Sequence, residues 1–167
     1  MSSLEEIGFT VETIDISVKS EEEILRQIRK NDFLFVSGGN TFYLLQEMKK
    51  KNVDKMIIDF IDKGKTYIGS SAGSIILSKN IEYISRMDDT AMASELVNYD
   101  SIGVIDFFIL PHYKCDPFAE VADEIYSEYK DKLDVRPITN AQAMVYSNGT
   151  YVKMPLVGVS REMPQEQ

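Results

Sequence analysis

Cysteine occurs once in the 167 residues, as Cys115, so the chain can close no internal disulfide and can build no zinc cluster from thiolates. Histidine is equally scarce, with His112 the only one. Basic side chains are outnumbered, 18 Lys and Arg against 27 Asp and Glu, for a formal net charge of -9. That balance argues against nucleic acid as a partner, because affinity for it comes largely from neutralising phosphates. An acidic small substrate would need its own local cation against the overall field. No apolar run approaches the ~18 residues of a membrane span, and MSSLEEIGFTVETIDI has no basic segment leading into an apolar one. A cytoplasmic protein with no membrane partner is the expectation, and neither repeats nor low-complexity linkers interrupt the chain.

What is present is an ordinary globular composition, 44% hydrophobic and 27% charged, over a length that suits one domain spanning residues 1–167. Strand and helix signals alternate. FTVETIDI (9–16) has the β-branched content of a strand, and Ser20 with Glu23 makes a capping box for a helix through Lys30. DFLFVSGGN reads as a strand ending in glycines, TFYLLQEMKKK as a helix, VDKMIIDFIDKG as an amphipathic helix closed by Gly64, and TYIGS as a buried strand. A short helix follows Ala72, and residues 79–104 read as mostly irregular. DFFILPHY is a strand stopped by Pro111, and PFAEVADEIYSEYKDK a helix with Pro117 near its start. AMVYS and TYVKM around Asn148-Gly149 form the strongest hairpin signal. The pattern predicts an α/β fold with a doubly wound, mostly parallel sheet covered on both faces and a late antiparallel hairpin.

Sites in such sheets lie at the carboxyl ends of strands, where VSGGN, YIGSSAG and ILPHY all fall. Gly69-x-Ser71-x-Gly73 between a strand and a helix has the composition of a nucleophile elbow, with the Ala72 N–H placed to donate to an oxyanion. The same residues also suit a tight packing turn or an anion-binding helix start. Any Ser-His mechanism must use His112. Ser37-Gly38-Gly39-Asn40 offers close backbone approach, with Gly39 as a second oxyanion donor, or else a turn capped by Asn40. Cys115 lacks an elbow and is read as a small residue without an assigned role.

Taken together, VSGGNTFYLL, YIGSSAGSIIL and ILPHY resemble peptidase E, the aspartyl dipeptidase family of serine peptidases, over roughly Ile14 to Val152. The resemblance implies a flavodoxin-like fold of the class I glutamine amidotransferase type, with Ser71 as nucleophile, His112 as base, and the N–H groups of Gly39 and Ala72 as the oxyanion hole. It implies release of an N-terminal aspartate from dipeptides through an acyl-enzyme, with no metal or organic cofactor. Where the family carries an acidic residue, PITNAQAM puts Asn140, and an Asp-to-Asn change in a serine triad costs on the order of 10⁴ in turnover. Asp88 and Asp89 resemble an acidic site of the family and are candidates for a polar role near substrate or His112. Arg86 and Lys114 are the nearest cations for a substrate carboxylate, with Asn40 a further candidate contact.

Family members carry further strand-helix units before the point where FTVETIDI falls. A sheet without them would expose apolar surface, so self-association into a homo-oligomer is an expectation. Two other readings compete with the peptidase. One is a weak or inactive homologue that binds acidic peptides or a protein; the other is a nucleotide or flavin binder using SGGN and GSSAGS as phosphate loops.

Overall fold

The computed structural model describes residues 3–156. A short helix α1 (Ser3–Glu6) precedes α2 (Glu21–Lys30), whose start is fixed by the expected capping box. The Ser20 hydroxyl accepts from the Glu23 N–H at 3.3 Å while the Glu23 carboxylate accepts from the Ser20 N–H at 3.1 Å. Strand β1 (Phe33–Val36) leads into α3 (Thr41–Lys50) and α4 (Val53–Asp62), and then into β2 (Thr66–Gly69), which pairs in parallel with β1. Gly64, at φ 76°, turns the chain after α4 as the sequence predicts. The elbow opens α5 (Ala72–Ile75), and the irregular stretch beyond it holds two short 3₁₀ turns. Strand β3 (Phe108–Leu110) pairs in parallel with β4 (Val135–Pro137) around α6 (Ala119–Tyr129). The expected hairpin is β5 (Gln142–Ser147) against β6 (Thr150–Pro155), with Asn148 at φ 49° and Gly149 at φ 76°, the signs a type I′ turn requires.

Two expectations need correction. Residues 9–16 form no strand: among the described residues no ladder pairs with them, and a strand is stable only when its N–H and C=O groups are met across it. The segment is held instead by side chains, with the Phe9 ring edge-on to Phe33 at 5.3 Å, Lys30 paired to Glu12 at 2.6 Å, and the Lys51 ammonium donating to the Ile16 carbonyl. Nor do the strands join into one sheet, since the described residues form three two-stranded units. The β1–β2 pair packs Leu34, Val36 and Tyr67 onto the helices and leaves its other face open, with Phe33 and Phe35 each 47% exposed and Ile68 37% exposed.

The interior divides into two main clusters. Ile24 and Ile28 of α2 meet Met56, Ile57 and Phe60 of α4 in one, and Phe42 and Leu45 of α3 meet Leu110, Ala122 and Ile125 in the other. The elbow helix serves both, for Ile75 enters the second cluster and the adjoining Ile76 the first. At the usual burial value, two fully buried isoleucines contribute several kcal/mol, about 1.5–3 each, to fixing this short helix.

Candidate active site

The elbow is shaped by contacts too close for side chains. A Cβ on Gly69 would meet the Gly73 carbonyl oxygen at 2.4 Å, and one on Gly73 would meet the Val36 carbonyl oxygen at 2.1 Å. Both glycines of the G-x-S-x-G spacing are therefore required by the packing of β1, β2 and α5 against one another. The Tyr67 hydroxyl donates to the Gly73 carbonyl at 2.6 Å, and burial pushes this phenol well up, keeping it a donor. Between the glycines, Ser71 is forced to φ 50° and ψ −116°, a conformation uncommon for a residue bearing a side chain. Its strain is over-determined by the surrounding packing, and its hydroxyl projects at the carboxyl end of β2.

The loop after β1 lies directly alongside. The Val36 carbonyl accepts from the Ser70 N–H at 3.0 Å, and a Cβ on Gly38 would come to 3.1 Å from the Ser71 Cβ. Gly39 sits at φ 138°, open to glycine alone. The Ala72 N–H, first in its helix, has no intrahelical acceptor. His112 follows β3 at φ 60°, and its Nε2 lies 2.9 Å from the Ser71 Oγ. Its Nδ1 lies 2.7 Å from the Asn140 Oδ1, in the loop after β4. An amide oxygen only accepts, so Nδ1 carries the proton and the Nε2 lone pair faces the serine hydroxyl. Ser71 and His112 are half-buried and Asn140 is exposed, so the row of three opens to solvent. The ends of β1, β2 and β3 thus converge as expected, the end of β4 joins them, and the arrangement can withdraw a proton from a serine hydroxyl.

The remaining candidates are placed differently. Asn40 caps α3, its Oδ1 accepting from the Tyr43 N–H at 2.9 Å and its Nδ2 donating to the Asp89 carbonyl at 2.8 Å. The Asp88 carboxylate accepts from the Thr41 N–H at 2.8 Å and from the Thr41 hydroxyl, which puts a negative charge at the start of a helix that has no acidic residue in its first turn. Asp89 accepts from the Ala91 N–H. The aspartates therefore brace the Gly-Gly-Asn loop, and the imidazole partner is Asn140. Arg86 is paired with Glu128 at 3.0 Å and with Glu124 at 3.6 Å, both on α6. The Lys114 ammonium lies over the Tyr113 ring at 5.3 Å. Sequence reasoning missed the Phe118 ring, tilted against the imidazole with centroids 5.0 Å apart, and the contact of Cys115 with the Asn140 N–H. Only the nearness of 115 and 118 to 112 pointed to them.

Comparison with known proteins identifies the family. The peptidase family S51 profile matches residues 1–154. The chain belongs to peptidase family S51. Among S51 relatives, an uncharacterized peptidase of Listeria monocytogenes is 49% identical over 142 residues, 85% of this chain and 69% of its own length. An uncharacterized peptidase of Pasteurella multocida is 39% identical over 87% of this chain and 70% of its own. Peptidase E of Shewanella amazonensis is 37% identical over 60% of this chain and 41% of its own. A crystal structure from Listeria monocytogenes, of a protein assigned to peptidase E, superposes with a TM-score of 0.87 at 45% identity, over 92% of this chain and 74% of that one. The S51 assignment supports a peptidase, and the structural likeness supports a mixed α/β fold. Among the described residues no helix is long and apolar enough to cross a membrane, and no His, Cys, Asp and Glu cluster forms a metal site.

Proposed function

We propose that this S51 chain is a serine-type peptidase that releases an N-terminal aspartate from short peptides, most simply Asp-X dipeptides, through an acyl-enzyme. The observation that carries the reading is the row of Ser71 Oγ, His112 Nε2 and Nδ1, and Asn140 Oδ1 at 2.9 and 2.7 Å. Ser71 Oγ attacks the scissile carbonyl as Nε2 takes its proton. The imidazolium then returns that proton to the leaving amine, and water repeats the sequence on the ester. The N–H groups of Gly39 and Ala72 hold the oxyanion. Lys114 is a cation for a substrate carboxylate, whereas Arg86 would first have to leave its two glutamates. The aspartate preference rests on the likeness to peptidase E.

Purified chain assayed on an Asp-X panel, with Ser71→Ala as control, tests the whole reading. The parent is expected to hydrolyse Asp-X and to take up a serine-directed fluorophosphonate. The alanine variant, folded by circular dichroism, is expected to lose at least about 10³-fold in kcat and all labelling. A fully active Ser71→Ala would end the serine mechanism, and activity on dipeptides without aspartate alone would end the substrate assignment.

A further inference from the structure

We infer that Cys115 is a positioning residue for the His112–Asn140 pair, an inference that rests on the serine-histidine reading of the site. Its sulfur lies 3.3 Å from the backbone N–H of Asn140, twenty-five residues away in sequence, and 3.4 Å from the Tyr113 carbonyl oxygen. The two contacts divide the thiol's hydrogen bonding between its two roles. The S–H donates to Tyr113, which turns the sulfur lone pairs toward Asn140, where they accept. Cys115 is itself tied to the histidine, its N–H donating to the His112 carbonyl at 3.0 Å and its own carbonyl accepting from the Phe118 N–H at 3.0 Å. Phe118 in turn lies tilted against the imidazole. One residue therefore joins the backbone of the base, the ring packed on the base, and the backbone of the residue that orients the base.

The loop bearing Asn140 is otherwise bonded mainly within itself. The Thr139 N–H donates to the Gln142 Oε1 at 3.0 Å, and the Gln142 N–H to the Thr139 carbonyl at 3.1 Å. The Tyr113 N–H reaches the Ile138 carbonyl at 3.1 Å, which continues the β3–β4 pairing but stops two residues short of Asn140. At position 140 the backbone's link to the histidine loop is the sulfur. Asn140 is exposed and cannot be held by packing, so its side-chain amide depends on where its backbone is held. Without the acceptor, the Oδ1 would lose its fixed place opposite Nδ1, and with it the Nδ1–H tautomer that leaves Nε2 free.

His112 is the only histidine, so nitrogen-15 NMR of the imidazole gives a single set of ring signals that needs no assignment by mutation. The tautomer is read in the neutral pH range for the parent, Cys115→Val and Cys115→Ser, alongside kcat and KM on an Asp-X substrate. The parent is expected to show the Nδ1–H form. Cys115→Val, close in shape but without an acceptor, is expected to shift the signals toward the Nε2–H form and to lower kcat about tenfold with KM within about twofold. Cys115→Ser, which keeps an acceptor and a donor, is expected to retain the parent tautomer and most of kcat. A valine variant with the parent tautomer and unchanged kcat would overturn the inference, as would a serine variant as impaired as valine. Cys115→Ala replaces valine if valine prevents folding. A parent that shows the Nδ1–H form yet hydrolyses nothing would count against the peptidase reading while the tautomer comparison still decides the role of Cys115.

Discussion

In the proposed mechanism Asn140 stands where a carboxylate would stabilise the imidazolium, and an amide cannot supply that charge. Its oxygen can nevertheless do the other half of the work, since it accepts from Nδ1–H and fixes the tautomer at 2.7 Å. The two halves separate by substitution. Asn140→Ala is expected to lower kcat by roughly 10²- to 10⁴-fold with little change in KM, because orientation is lost while substrate contacts remain. Asn140→Asp is expected to keep or raise kcat and to move the acid limb of kcat/KM to higher pH, because a neighbouring carboxylate favours the protonated ring. Steady-state kinetics over a pH series check both; an alanine variant as active as the parent would remove Asn140 from the mechanism. At this scale Ser71 was legible because its flanking glycines record the close approach of carbonyls to the elbow, and His112 because no other histidine competes. Cys115 and Phe118 were not, since their meaning lies in partners brought together only by the loops after β3 and β4.

Among the elements, α2 was the most legible, with its boundary written in the Ser20–Glu23 pair and its buried face in Ile24 and Ile28. The Ser20 N–H, then Lys19 and the Ser20 hydroxyl, hold the Glu23 carboxyl down at about 2, against an ordinary 4.5. A carboxyl lowered on folding contributes stability that is fully present above its unfolded value and is lost as pH falls through its folded one. The parent should therefore lose the benefit of this cap between about pH 4.5 and pH 2. Glu23→Gln should lower Tm by a few degrees at pH 6 and converge with the parent near pH 2, as thermal melts followed by circular dichroism would show. A constant difference across that range would mean the carboxylate is not what the cap uses. Residues 9–16 were misread for the converse reason: β-branched alternation reports a residue's fitness for a strand, whereas the strand itself depends on a neighbour that the segment does not have among the described residues.

For the whole molecule, alternation of strand and helix announced the α/β class and the edge on which the loops gather, but not how the strands would join. The pairs β1–β2 and β3–β4 contain only three or four residues per strand, too few ladder bonds for local pattern to specify their neighbours. Exposed apolar surface on the sheet was an expectation, but not that Phe33, Phe35 and Ile68 would bear it, since in a sequence those residues look like core. The four-residue helix that begins after Ser71 carries a further consequence. Ile75 and Ile76 send adjoining side chains into different cores, so α5 cannot loosen unless one core gives way, and either loss displaces Ser71 from His112. Heat inactivation should accordingly proceed at the rate of global unfolding, with the most protected amides of α2 and of α6 exchanging at that same rate. Activity lost well before either set of amides would show the elbow opening alone. Coupled in this way, the row of Ser71, His112 and Asn140 has no separate lifetime and wears out only when the molecule does.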